Sequence, residues 1–287
     1  MNLPDYNSVS VLKEILSTNS MAMQKKFGQN FLINENARIK LIDALSVDSS
    51  ETVWEVGPGL GAMTSEILRR GAKLKVFEID KGFIQLLKVF FQEEIKSGQL
   101  QIIEGDVLKT WKEVFKNSGF PSRFFSNLPY NIAASLFADF IEENVRFERG
   151  VITVQKEVAM RMMAKPKSAD YSSFSVLCQW AYNIEFLMDL AGGNFWPKPN
   201  VDSRSVVFTK KEGFPLCENP SLFMKVQKAL FSSRRKNIKN NLTGFLKDSK
   251  RAEEYILKSE LKLTSRAEEL KIEDFLRLSD IINNGII

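Results

Sequence analysis

The stretch that most constrains the fold is Thr52–Leu68, which reads TVWEVGPGLGAMTSEIL. It begins with mostly apolar or β-branched residues, as in a buried strand, and good helix formers end it. Between them stand Gly57, Gly59 and Gly61. A strand, a glycine turn and a helix in this order open a nucleotide-binding α/β unit, because glycine takes positive φ and lets a ligand approach the backbone closely. The three glycines are therefore candidates for ligand binding.

The rest of the chain alternates in the same way. Further strands are predicted at Lys73–Phe77, Leu100–Ile103, Phe124–Ser126, Gly150–Val154 and Ser205–Thr209, with a helix and then a strand within 171–190. Helices are predicted at Val9–Leu16, Glu35–Leu45, Gly82–Lys96, Ile132–Ile141 and Lys156–Ala164. Strands separated by helices indicate a doubly wound α/β fold. We expect a Rossmann-like domain with a seven-stranded, mostly parallel sheet over 1–208 and a small all-helical domain over 209–287.

Polar residues follow the carboxyl ends of three more predicted strands, namely Glu78, Asp106 and Asn127. In doubly wound sheets the ligand lies beyond these ends. Glu78 also stands where a carboxylate grips the two hydroxyls of a ribose, about 20 residues beyond the glycine turn. Either acid alone is more often a helix cap or a surface charge. Together with the glycine turn, these positions occupy four consecutive strand ends, which packing alone does not explain.

Two cofactors compete for this pattern. An NAD site needs GxGxxG or GxGxxA and an acid, and Gly57, Gly59, Ala62 and Glu78 satisfy that form. S-adenosylmethionine has no pyrophosphate, and its site needs a glycine turn for the amino-acid part, an acid for the ribose and a polar side chain beside the adenine. Asp106 suits the adenine amino group, which NAD binding does not require. The chain has no Gly-Lys dipeptide, which excludes a phosphate-binding P-loop.

The segment Asn127–Tyr130 favours methyl transfer. Pro129 holds the segment extended and biases Leu128 away from the helical region. We expect the Asn127 carboxamide oxygen and a backbone carbonyl to accept hydrogen bonds from an exocyclic amino group, while Tyr130 offers a flat face to the base. Such bonds would free the lone pair of adenine N6 for attack on a methyl sulfonium. This chemistry needs no histidine, and the chain contains none.

Positive charge is concentrated towards the C-terminal end. Residues 209–287 carry 16 lysines and arginines against 11 acidic residues, whereas residues 1–208 are neutral. Seven basic residues and no acidic residue lie between Glu218 and Asp248, with Arg234, Arg235 and Lys236 at the centre. A basic tail on a neutral α/β domain indicates a polyanion such as RNA as the partner, and a solvated helical face is an equally open interpretation.

No apolar run in the sequence is long enough to cross a bilayer, and no basic-then-apolar signal opens the chain. Cys178 and Cys217 have neither metal-binding nor CxxC spacing. We therefore expect a monomeric cytoplasmic protein with free thiols, without a metal and without a membrane.

In its motifs the chain resembles the ribosomal-RNA adenine N6,N6-dimethyltransferase family, and within it the small-subunit enzymes. The motifs follow the family's order along nearly the whole chain: GQNFLIN at 28–34, EVGPGLGAMT at 55–64, FEID at 77–80, EGDVL at 104–108, SNLPYNIA at 126–133, VQKEVAMRMMAKP at 154–166, FWPKPNVDSRSV at 195–206 and FSSRRKNIKNNL at 231–242. The resemblance implies an S-adenosylmethionine site formed by Asn30, Leu32, Gly57, Glu78, Asp106 and Asn127. It implies an adenine site formed by Asn127, Leu128, Pro129, Tyr130 and Phe195.

The substrate that the resemblance implies is the 16S rRNA of the small ribosomal subunit, with two adjacent adenines dimethylated in its 3′-terminal hairpin loop. Three alternatives stay open at this point. The chain could dimethylate large-subunit rRNA, could be a ribosome-assembly factor that only binds RNA, or could be an NAD oxidoreductase.

Overall fold

A computed structural model of the chain describes residues 3–21, 29–119, 121–127 and 132–285. Its strands are β1 (Phe31–Leu32), β2 (Thr52–Val56), β3 (Lys73–Glu78), β4 (Leu100–Glu104), β5 (Arg123–Asn127), β6 (Arg149–Gln155), β7 (Tyr182–Leu190), β8 (Phe195–Trp196) and β9 (Ser203–Lys210). Its helices are α1 (Val9–Thr18), α2 (Glu35–Leu45), α3 (Ala62–Arg69), α4 (Lys81–Phe90), α5 (Gln92–Lys96), α6 (Val107–Ser118), α7 (Ala133–Glu142), α8 (Lys156–Met163), α9 (Ser173–Ala181), α10 (Pro220–Leu230), α11 (Ile238–Leu246), α12 (Ser249–Lys258) and α13 (Ile272–Gly285).

Seven strands form one sheet in the order β4-β3-β2-β5-β6-β9-β7. The five strands from β4 to β6 pair in parallel, and β9 pairs with β6 in the antiparallel direction. The predicted seven-stranded, mostly parallel sheet is thereby confirmed. Successive strands are added on one side of β2 up to β4 and then on the other side from β5, so the strand order reverses between β2 and β5. In open α/β sheets this switch point is where a crevice for a ligand opens.

Two short strands outside the main sheet join distant parts of the sequence. In the antiparallel pair of β1 and β8, Phe31 lies opposite Trp196 and Leu32 lies opposite Phe195. The ring of Phe31 stacks on the ring of Trp196, with 6.0 Å between the centroids. This pairing holds the segment that contains Asn30 beside the segment that contains Phe195.

The strands are apolar because helices cover the parallel sheet, and β2 buries four of its five residues. The single helix predicted over Gly82–Lys96 is wrong, since α4 ends at Phe90 and α5 begins at Gln92. Phe91 between them leaves the helical region, with φ −117° and ψ 34°, and its side chain is buried. The ring packs where a Cβ on Gly61 would lie, so tertiary packing on the glycine turn interrupts the helical pattern.

The chain divides into two compact units. The first comprises Met1–Leu136, Phe147–Ala159 and Glu185–Thr209, and the second comprises Phe137–Arg146, Met160–Ile184 and Lys210–Ile287. The first unit contains β1 to β6 and β8, with β7 from Glu185 onward and β9 up to Thr209. The second has a core of its own, in which the ring of Trp180 lies 4.4 Å from the rings of Phe214 and Phe223. The second unit takes in segments that precede residue 209, and the functional boundary at 208/209 stays a prediction.

Candidate active site

The glycine turn after β2 adopts a conformation that requires glycine. Gly57, Gly59 and Gly61 have φ of 72°, 57° and 87°, in the left-handed region that side chains disfavour. A Cβ on Gly59 would lie 3.1 Å from the ring of Phe31, and a Cβ on Gly61 would lie 2.5 Å from the ring of Phe91. Aromatic rings therefore pack closely against the turn at Gly59 and Gly61, and these two positions have little or no room for a side chain.

Glu78 ends β3 beside this turn and is buried, with 6% of its surface exposed. Its Oε1 accepts hydrogen bonds from the backbone N–H groups of Ile79 and Asp80, both at 2.8 Å, and its Oε2 accepts one from Gly59 at 3.2 Å. Burial raises the pKa of Glu78 to about 7, against the lowering effect of these three N–H groups. The carboxylate is thus fixed in position and also ties β3 to the glycine turn.

Asp106 follows β4 and Asn127 ends β5, so the two residues lie on opposite sides of β2 and β3 in the sheet. Asp106 precedes α6 and caps it, since its Oδ1 accepts a hydrogen bond from the N–H of Leu108 at 3.1 Å. Asn127 is the last residue of β5, and its Nδ2 donates to the backbone carbonyl of Asn30 at 3.3 Å. An amide whose nitrogen is engaged in this way presents its oxygen as the acceptor for a ligand.

A cavity of about 310 Å³ lies at the carboxyl ends of the strands of the first unit. Its wall includes most of the residues predicted for the site: Asn30, Leu32, Gly57, Gly59, Glu78, Asp106, Asn127 and Phe195. Gly61 does not line the cavity and begins α3 instead. Phe195 reaches the cavity from a buried position in β8. Leu128, Pro129 and Tyr130 lie outside the described residues.

The residues that line this cavity fit S-adenosylmethionine. The volume is in the range of small-molecule sites, which begins at roughly 300 Å³. Glu78 can accept hydrogen bonds from two vicinal hydroxyls, the glycine turn admits a ligand against its backbone, and Asp106 can accept from an exocyclic amino group. Within the described residues no group of three or more cysteines and acids could hold a metal ion.

Tyr6 and Glu55 are among the residues of the cavity wall to which the sequence analysis gave no role. Tyr6, which precedes α1, donates its hydroxyl proton to the carbonyl of Leu60 in the glycine turn at 3.1 Å. Glu55 in β2 is 2% exposed and accepts a hydrogen bond from Thr64 Oγ1 at 2.7 Å, and burial raises its pKa to about 8. A carboxylate inside an otherwise apolar strand was the signal for Glu55, whereas nothing in the sequence indicates that residues near the N-terminus reach the cavity.

The basic cluster of the second unit lies between α10 and α11. Arg234, Arg235 and Lys236 are all exposed. Arg234 Nη2 donates to the carbonyl oxygens of Ala169 and Tyr171 at 2.9 and 3.2 Å, so this guanidinium is engaged within the protein.

No helix in the described part of the chain is both long enough and apolar enough to span a membrane.

The sheet order, the glycine turn and the polar strand ends define the class of Rossmann-like methyltransferases. Residues 20–284 match the family described as Ribosomal RNA adenine dimethylase. The chain is 49% identical to a ribosomal RNA small subunit methyltransferase A of Treponema denticola, over 98% of this chain and 97% of that protein. It is 41% identical to the protein of that name from Treponema pallidum, over 98% and 99% of the two chains.

The fold is also that of a solved structure, a dimethyladenosine transferase from Plasmodium falciparum. The TM-score is 0.73 with 24% identity, and the superposition covers 88% of this chain and 98% of the other. The chain belongs to the ribosomal RNA adenine dimethylase family. The predicted family and its cofactor, S-adenosylmethionine, are thereby confirmed, and the NAD oxidoreductase alternative is dismissed.

Proposed function

We propose that this protein transfers methyl groups from S-adenosylmethionine to N6 of two adjacent adenines in the 3′-terminal hairpin loop of 16S rRNA, giving N6,N6-dimethyladenosines in the small ribosomal subunit. The observation that carries the proposal is the position of Asn127. It ends the strand at the switch point of a family sheet, on the wall of the cavity, with its amide nitrogen engaged by Asn30. Its oxygen is then the acceptor for the amino group of an adenine.

The residues of the cavity divide the work of binding. Glu78 would hold the ribose hydroxyls, Asp106 the adenine amino group and the glycine turn the amino-acid part of the cofactor, together with Asn30 and Leu32. When bound, S-adenosylmethionine supplies a methyl group on a sulfonium, whose C–S bond breaks as the N6–C bond forms. The amino group of the substrate gives up one proton for each methyl group that it receives.

Asn127 would raise the nucleophilicity of N6. The lone pair of an aromatic amine is delocalised into the ring, and hydrogen bonds from both N–H groups to fixed acceptors favour a pyramidal nitrogen. The Asn127 oxygen is one acceptor. From the sequence we propose that the segment of Leu128, Pro129 and Tyr130 supplies a second acceptor and a stacking face. Phe195 would meet the other side of a base that has left its stack.

The second compact unit suits RNA binding. Its exposed Arg234–Lys236 cluster carries three positive charges, and residues 209–287 hold the excess of basic residues. Such a cluster attracts the phosphate backbone regardless of sequence. We place the rRNA-binding domain in residues 209–287 and expect the protein to act as a monomer in the cytoplasm on small ribosomal subunits.

Methyl transfer to isolated ribosomal subunits tests this function. Unmethylated small subunits and, as the control, large subunits are incubated with the protein and radiolabelled S-adenosylmethionine, and the modified bases are mapped. The proposal requires two dimethylated adenines in the small subunit and no label in the large one. Label in the large subunit alone supports the large-subunit alternative. No label in either subunit, from protein that binds S-adenosylmethionine, supports the assembly-factor alternative.

A further inference from the structure

We propose that the α8–α9 loop, residues 164–172, is a second phosphate-binding segment for RNA beside Arg235 and Lys236, and that Arg234 acts by holding this loop in place. The inference rests on the proposed rRNA methyl transfer and names a surface of the second unit that meets the substrate. The loop lies more than 60 residues before the basic cluster in sequence, and its own lysines, Lys165 and Lys167, are exposed.

The contact between the two segments is specific. A single nitrogen of Arg234, Nη2, donates to the carbonyl oxygens of Ala169 at 2.9 Å and Tyr171 at 3.2 Å. The ring of Tyr171 also packs edge-on against the ring of Phe231, which immediately follows α10, with 6.0 Å between the centroids. The C-terminal half of the loop is therefore fixed to the segment that carries the basic cluster.

The N-terminal half of the loop is fixed as well. Gln179 Nε2 in α9 donates to the carbonyl oxygens of Met162 and Ala164 at 2.9 and 2.8 Å. The backbone N–H of Lys167 donates to the carbonyl of Glu268 at 2.7 Å, and the N–H of Ser168 donates to the carbonyl of Lys165 at 3.1 Å. These bonds tie the start of the loop to α9 and its centre to the segment between α12 and α13, and the bond between Ser168 and Lys165 closes a turn within the loop.

Lys167 has a backbone conformation that agrees with this construction. Its φ of 71° lies in the left-handed region, which costs a residue with a side chain roughly 1–2 kcal/mol. Surrounding bonds must hold a residue in such a conformation, and the bond to Glu268 does so. The backbone of the loop therefore holds the Cα atoms of Lys165 and Lys167 at defined positions and should lose little conformational freedom on binding.

The charges on this surface favour a polyanion. Lys165, Lys167, Arg235 and Lys236 are exposed cations, and the one acid among residues 164–172 is the half-buried Asp170. Of the acids that face the loop from neighbouring segments, Glu268 pairs with Arg266 and Asp274 pairs with Arg277, and Glu273 is the third. Separate, exposed cations on a rigid frame match the regular phosphates of an RNA strand, whereas a single small anion would need convergent donors. Because Nη2 of Arg234 donates hydrogen bonds to the loop, we expect this residue to affect RNA binding mainly through the positions of Lys165 and Lys167.

Salt dependence of RNA binding tests the loop. Lys165→Gln combined with Lys167→Asn removes two charges, and Asn tolerates the left-handed conformation at 167. Binding to unmethylated small subunits is measured from low to high monovalent salt at constant Mg²⁺. Each lost phosphate contact flattens the slope of log K against log salt by about 0.7–0.9, so we expect a decrease of about 1.4–1.8. The control is Lys73→Gln with Lys116→Gln, two exposed lysines of β3 and α6 that lie outside residues 209–287, which should leave the slope unchanged.

Two further variants test the role of Arg234. Arg234→Lys keeps the charge but not the nitrogen that bridges the two carbonyls, so it should flatten the slope as much as Arg234→Gln does. Adding Arg234→Gln to the loop variant should flatten the salt slope by much less than the sum of the two separate effects, because both changes act on the same phosphate contacts.

The outcomes are separable from those of the proposed function. Wild-type methylation of small subunits establishes the function, and all variants should bind S-adenosylmethionine with wild-type affinity. A wild-type slope in the loop variant, or an equal effect of the Lys73→Gln, Lys116→Gln control, overturns the second segment. A wild-type slope in Arg234→Lys overturns the holding role and makes Arg234 a direct phosphate contact.

Discussion

Removing the carboxylate of Glu78 should weaken S-adenosylmethionine binding by an amount that can be estimated from the hydrogen bonds that this group is proposed to accept. Glu78→Ala deletes the acceptor proposed for the ribose hydroxyls. Hydrogen bonds to charged groups contribute about 1.5–3 kcal/mol. At about 1.4 kcal/mol for each tenfold change, the dissociation constant should rise about 10- to 150-fold. The measurement is isothermal titration calorimetry at pH 8, where a carboxyl group with a pKa of about 7 is mostly ionised.

A second effect of the same substitution must be measured separately. Glu78 also accepts the N–H groups of Ile79, Asp80 and Gly59, and these donors would lose their partner. An unsatisfied buried donor costs about 1–3 kcal/mol, and the variant regains the cost of burying the charged carboxylate, which offsets part of this loss. Urea unfolding of Glu78→Ala without ligand measures this loss of stability. Glu78→Gln keeps one acceptor oxygen, so its unfolding free energy and its affinity for S-adenosylmethionine should both lie between those of Glu78→Ala and the wild type.

The matched control is Glu104→Ala. Glu104 lies directly beside Glu78 in the sheet, at the end of β4, but it is exposed and forms an ion pair with Lys88 at 2.6 Å. Exposed pairs contribute about 0–1 kcal/mol, so this variant should bind S-adenosylmethionine like the wild type. Wild-type affinity in a folded Glu78→Ala protein, or an equal loss in Glu104→Ala, would refute the assignment of Glu78 to the ribose.

Two predictions concern stability. Gly61→Ala should destabilise the protein by about 2–5 kcal/mol in urea unfolding, because the left-handed φ and a Cβ 2.5 Å from the ring of Phe91 both oppose the substitution. Gly98→Ala, with φ 78° and nothing within 4 Å of its Cβ, should cost only about 1–2 kcal/mol. Equal losses of stability in the two variants would contradict the packing argument. The wild type should lose stability as pH rises from about 4.5 to 8, since the folded protein keeps protons on Glu55 and Glu78, with pKa values of about 8 and 7, that the unfolded chain releases. Glu55→Gln should remove part of this decline and should make the unfolding free energy much less dependent on pH above pH 7, where Glu78 has largely released its proton, and an unchanged decline above pH 7 would show that other groups cause it.

The ligand positions could be predicted from the sequence because parallel strands bring their carboxyl ends together. Gly57, Glu78, Asp106 and Asn127 needed only the strand pattern and the topology rule to be placed at one edge of a sheet. The cavity contains all four of them. The local pattern was sufficient here because each residue directly follows its own strand.

The remaining features depend on contacts between distant segments. The break at Phe91 follows from its packing on the glycine turn, which no helical periodicity encodes. Tyr6 joins the cavity through a bond to Leu60, 54 residues away, and Arg234 bonds to a loop more than 60 residues before it. The hydrophobic pattern of a segment describes its own buried face and not the partner that covers it, so such contacts required the structure.

The central claim, that Asn127 acts on the amino group of an adenine, is tested most directly by single-turnover methylation of saturating, unmethylated small subunits. Asn127→Ala should slow transfer on the order of 10²- to 10³-fold, as removal of other preorganised hydrogen-bonding groups does. Its affinity for the subunits should change little, because the bond matters chiefly as N6 becomes nucleophilic. The free energy of unfolding in urea verifies that loss of the bond to Asn30 has not disrupted the fold. Methylation by Asn127→Ala at the wild-type rate would contradict the account.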